Sequence, residues 1–87
     1  MKTPTWTQIE RFCEIDGWSE ARRSGHVFFE KVLADGTVLQ THRSHASRKT
    51  MSPGRFRAIL RYQLQVSEAQ LWLALQSRQP IDRTAGR

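Results

Sequence analysis

Apolar side chains recur along this 87-residue chain with two different periods, and the changes of period divide it into elements. Trp6, Ile9, Phe12 and Cys13 fall at helical spacing and make one apolar stripe. Thr5-Trp6-Thr7-Gln8 and the overlapping Thr7-Gln8-Ile9-Glu10 both fit a capping box at the start of that helix. Asp16-Gly17 ends it, since glycine takes the left-handed stop and Trp18 can fold back on the last turn. The period then shortens, and three strands are predicted at 19–23, 26–33 and 37–43. In the middle one His26, Phe28, Glu30 and Val32 alternate with Val27, Phe29, Lys31 and Leu33. Neither face is cleanly polar, which marks a central strand of a small antiparallel sheet covered by helices on one side. Asp35-Gly36 between apolar runs is a strong hairpin signal.

A polar loop, 44–50, leads to Ser52-Pro53, where Ser52 can cap and Pro53 suits a first helical position. Phe56, Ile59, Leu60 and Leu64 supply the buried stripe of this second helix, leaving Arg55, Arg57 and Arg61 to project elsewhere. Ser67-Glu68-Ala69-Gln70 repeats the capping box and opens a short final helix through Leu71, Trp72 and Leu75. The reading is an α+β fold, α-β-β-β-α, with a three-stranded antiparallel sheet packed on two helices and a short C-terminal helix. One domain is expected over 1–76, followed by a disordered tail over 77–87.

Charge changes this picture. The chain has 14 Lys and Arg against 8 Asp and Glu, and residues 21–61 hold nine of those cations and only two of the acids. Such a field attracts polyanions, and nucleic acid is the expected partner. The lone Cys13 has no internal disulfide partner and sits on an apolar helical face, where a reduced thiol packs as a small hydrophobe and lacks the electropositive setting of a nucleophile. No stretch is long enough to span a bilayer, and Met1-Lys2-Thr3-Pro4 lacks the apolar core of a signal peptide, so the expectation is a cytoplasmic protein with no membrane association. No cofactor and no metal are expected: the three histidines lack a supporting carboxylate cluster, and His42-Arg43-Ser44-His45 offers at most two ligands.

The stretch from Arg22 to Phe29 carries the candidate chemistry. Arg22 and Arg23 run into the Ser24-Gly25 turn, and His26 opens the apolar strand that follows. An imidazole titrates near neutrality and serves as acid or base without a metal. The cations that could bind and stabilise a phosphodiester are Arg22, Arg23, Lys31, Arg43, Arg48, Lys49 and Arg55, with His42 on the third strand as a further binding residue. His42 or His45 is a candidate for a complementary acid.

Asp16-Gly17-Trp18 at the end of the first helix, the Arg-rich turn ending in Gly25-His26, Asp35-Gly36 in the hairpin, and Ser52-Pro53-Gly54 through Ile59-Leu60-Arg61 together resemble the HicA (YcfA-like) toxins over about Trp6 to Leu75. The resemblance implies a double-stranded-RNA-binding-like fold. It also implies a metal-independent endoribonuclease, an mRNA interferase of a type II toxin-antitoxin system, neutralised by a HicB-like antitoxin. The family's essential histidine, which follows a Gly-Ser pair, falls on His26; here the pair reads Ser24-Gly25. The alternative is a non-catalytic RNA-binding module of the same fold. A helix-turn-helix DNA reader is disfavoured by the three strands between the helices.

Overall fold

The computed structural model describes residues 2–23, 26–43 and 49–83, with the side chains of Arg23 and His26 outside the description. The element order is α1 (Trp6–Ile15), β1 (Ser19–Arg23), β2 (His26–Val32), β3 (Val38–Arg43), α2 (Pro53–Ala58) continued by a π-helical turn (Ile59–Leu64), and α3 (Glu68–Ser77). This is the expected α+β arrangement, with the sheet ordered β1-β2-β3 and antiparallel throughout.

Local chemistry sets the ends of the elements. Of the two overlapping capping boxes, the one at Thr5 forms: its hydroxyl accepts from the Gln8 amide while the Gln8 side chain accepts from the Thr5 amide. Ser67 and Gln70 do the same for α3. Gly17 takes the left-handed conformation (φ +78), and Trp18 N–H returns to the Cys13 carbonyl, which closes α1 and starts β1. In the hairpin, Gly36 (φ +90) donates to the Leu33 carbonyl and Asp35 accepts from the Thr37 amide, so β2 and β3 are each one residue shorter there than the alternation suggested.

The second helix departs from a simple α-helix. After Ala58 its turns widen, and the Gln65 amide reaches the Leu60 carbonyl from a left-handed residue (φ 52). Ile59, Leu60 and Leu64 are all buried in this geometry, so the wider turn keeps a full apolar face toward the core while delivering Val66 to it.

The core joins α1 (Trp6, Ile9, Phe12, Cys13), the inner sheet face (Val27, Phe29, Leu39), the second helix (Phe56, Ile59, Leu60, Leu64) and α3 (Leu71, Ala74). α3 packs on α1, and β3 meets both α1 and the π-helical turn. Two contacts stitch the helix starts together: a Thr5–Thr50 bridge and Met51 N–H to the Pro4 carbonyl. Among the described residues no helix is long and apolar enough to cross a membrane.

Of the stretch 77–87 expected to be a tail, Ser77 closes α3 and residues 78–83 fold back on the end of α1. Asp16, at the end of α1, is 1% exposed and its carboxylate accepts from the Trp18 indole, the Ile81 amide and the Arg83 guanidinium, each at 2.8 Å. Arg83 also donates to the Leu64 carbonyl. A buried carboxylate needs such partners, and the chain after α3 provides two of the three. Residues 84–87 of that tail lie outside the described residues.

Candidate nucleic-acid interface

Antiparallel pairing gathers the candidate residues of three strands at one end of the sheet. β1 finishes with Arg22 and Arg23, β2 starts with His26, and β3 finishes with His42 and Arg43. The register sets Arg23 opposite His26, Arg22 opposite Val27, Phe28 opposite His42 and Val27 opposite Arg43. Alternation puts the His26 position on the face shared with Phe28 and Glu30, opposite the face that buries Val27 and Phe29. The His26 ring and the Arg23 guanidinium themselves lie outside the described residues, as do all of His45 and Arg48.

His42 is half-buried and fully described. Its ring centroid lies 5.8 Å from that of Trp6 on α1 and 6.3 Å from that of Phe28 on the neighbouring strand. Arg55, in the first turn of α2, sets its guanidinium carbon 6.0 Å from the Trp6 ring centroid, within cation–π range. The stitched starts of α1 and α2 bring these groups together. A cleft of about 420 Å³ opens between β3 and the second helix, with His42, Ser52, Arg55 and Gln63 on its walls and Trp6 and Ile59 below. Gln63 sits on the π-helical turn and accepts a 2.6 Å hydrogen bond from the buried Thr41 hydroxyl. Lys49 is exposed beside the Thr5–Thr50 bridge.

Two of the expected cations are engaged elsewhere. Lys31 lies at the far end of β2, where its ammonium donates to the Asp16 carbonyl; it is five steps along the strand from His26, roughly 17 Å. In this structure it braces the end of α1. Arg43 belongs to the basic end but forms a 2.9 Å ion pair with Glu10 of α1, in which both side chains remain partly exposed. Arg22 and Arg55 are exposed, and no described carboxylate pairs with either.

Cys13 is buried on the core face of α1. Burial pushes its thiol far up, and the nearby Asp16, Glu10 and Glu14 carboxylates push it further in the same direction, so it packs as an uncharged thiol. Among the described residues, no three His, Cys, Asp or Glu side chains converge as a metal ion would need. Sequence reasoning missed Trp6 and Gln63 as parts of the cleft: the first reads as core, and nothing in the local pattern singles out the second. No family model, no curated protein and no solved structure matches this chain.

Proposed function

We propose that this protein is a HicA-like endoribonuclease that holds single-stranded stretches of mRNA against the basic end of its sheet and cleaves them with His26 as the proton-transferring residue. The reading is supported above all by the register, which brings the positions of Arg23, His26 and His42 to one face at one end of the sheet, with Arg22 and Arg43 at the same end on the Val27 face. It is also supported by the α-β-β-β-α order, which is the order the HicA resemblance implies. In the proposed reaction His26 accepts the proton of a ribose 2′-hydroxyl, the 2′-oxygen attacks the adjacent phosphorus, and the bond to the 5′-oxygen of the next nucleotide breaks as that oxygen takes a proton from solvent water, leaving a 2′,3′-cyclic phosphate. The arginines stabilise the charge that develops on the phosphoryl oxygens. In a cell such an activity calls for a HicB-like antitoxin.

The test is cleavage of a defined RNA and of its all-2′-deoxy analogue, with chelator present, by the wild type and by His26→Ala. The expected outcome is RNA cleaved, the deoxy strand intact, and the variant slower by about 100-fold or more while still binding. Undiminished cleavage by the variant removes His26 from the mechanism. Binding by both proteins with cleavage by neither identifies a non-catalytic RNA-binding module.

A further inference from the structure

We infer that the cleft between β3 and the second helix is a nucleotide subsite, in which Arg55, Ser52 and His42 hold a phosphate of single-stranded RNA and Gln63 meets the attached base. The inference rests on the RNA reading above and adds to it a place, a set of contacts and an orientation that no alternation of residues revealed.

The lining is one-sided in its chemistry. Its polar residues are His42, Ser52, Arg55 and Gln63, and no carboxylate is among them. Ser52, Arg55 and Gln63 have donor capacity that no described residue takes up. The Ser52 oxygen accepts the Arg55 amide at 3.3 Å, which leaves its hydroxyl proton free to donate. Gln63 has its carbonyl oxygen occupied by Thr41, so its amide N–H groups are the part with capacity to spare. Arg55 has an aromatic ring beneath it and no described carboxylate beside it. A concavity whose polar lining is a guanidinium, an imidazole, a hydroxyl and an amide, with no described carboxylate among them, is complementary to an anion, and a guanidinium is well matched to phosphate oxygens.

Size and span select among anions. The His42 ring and the Arg55 guanidinium each lie about 6 Å from the same Trp6 ring, so they are separated by no more than about 12 Å. The cleft volume, about 420 Å³, falls within the usual range for small-ligand sites and exceeds what an inorganic ion fills. A phosphate with its sugar and base uses the whole of it. The Thr41–Gln63 bond fixes the orientation: Thr41 is 2% exposed, so its hydroxyl has little choice of partner and turns the Gln63 donors toward a base edge that offers acceptors. The π-helical turn is what carries Gln63 to Thr41.

The test uses inorganic phosphate and an RNA dinucleotide ending in a 3′-phosphate, titrated into the full chain and followed by the His42 ring signals in NMR spectra and by calorimetry. Both probes are expected to move the His42 signals, with the dinucleotide binding more tightly. Arg55→Ala, a change at an exposed position, should weaken both by roughly tenfold, and Gln63→Leu should weaken the dinucleotide only. His42 signals that stay fixed at saturation of either probe overturn the inference, as does an Arg55→Ala variant with wild-type affinity. Equal affinity for the two probes would make the cleft a seat for small anions and contradict the nucleotide assignment. RNA bound elsewhere with His42 unmoved sinks this inference and leaves the RNA reading standing; failure to bind any RNA, with phosphate still moving His42, sinks both the RNA reading and the assignment.

Discussion

The two ends of the sheet handle polar groups in opposite ways. At the end where β1 starts and β2 finishes, Asp16 collects an indole, an amide and a guanidinium while its own carbonyl takes Lys31. The carboxylate is saturated by the protein itself. At the other end His42, Arg55, Ser52 and Gln63 border an open cleft with donors to spare. Polar groups that find partners inside the chain hold it together, and those that do not are available to a ligand. On this account cations at the two ends, though alike in sequence, have unlike jobs.

The largest effect is expected from Asp16→Ala. It leaves the Arg83 guanidinium buried without its counter-charge and frees the 78–83 segment, for a loss of about 3–5 kcal/mol seen as a lower denaturant midpoint, with RNA affinity of the folded fraction unchanged. The same carboxylate governs the acid response. Burial alone would raise its pKa, but the hydrogen bonds from Arg83, Ile81 and Trp18, together with the charge of Arg83, hold it below the ordinary aspartate value. A folded-state pKa below the unfolded one contributes stability that is complete above about pH 5 and is lost as pH falls through the folded value. Wild-type stability should therefore fall below about pH 4 more steeply than that of Asp16→Asn, measured by urea unfolding across that range.

Lys31→Met and Arg55→Ala set the two ends side by side. Removing the Lys31 ammonium should cost about 1.5–3 kcal/mol of stability, because its hydrogen bond to the Asp16 carbonyl is lost, and should leave RNA affinity intact. Arg55→Ala should do the reverse: unfolding is unchanged within about 0.5 kcal/mol, while the slope of log affinity against log salt for single-stranded RNA becomes shallower by about 0.7. The smallest effect belongs to the hairpin end of the outer face, where Val32 and Val38 pair and are 67% and 60% exposed. Val32→Thr should move neither stability nor affinity beyond about 0.5 kcal/mol.

How far the sequence could be read follows the range of the interactions. Thr5 with Gln8, Ser67 with Gln70, and Asp35-Gly36 act over two to three residues, and so each cap and the hairpin was readable directly. The apolar stripes of α1 and of 56–64 were readable for the same reason. The π-helical turn was not, because Phe56, Ile59, Leu60 and Leu64 satisfy an α-helical period equally well, and the residue that closes the turn is Gln65 where a glycine would have been the usual signal. The Asp16–Arg83 pair joins positions near opposite ends of the chain, and no local pattern encodes it. The cleft is also a product of tertiary structure: Trp6, His42 and Arg55 come from three elements, and although His42 and Arg55 were each readable as binding candidates, their convergence over Trp6 was not.

The most direct test of the division between the two ends is amide chemical-shift mapping with a short single-stranded RNA. The account predicts shifts confined to residues around 22–27, 42–43, 49–55 and 63, with 16–18, 31 and 81–83 unmoved. Shifts centred on Asp16 and Lys31, or spread evenly over the surface, would contradict it.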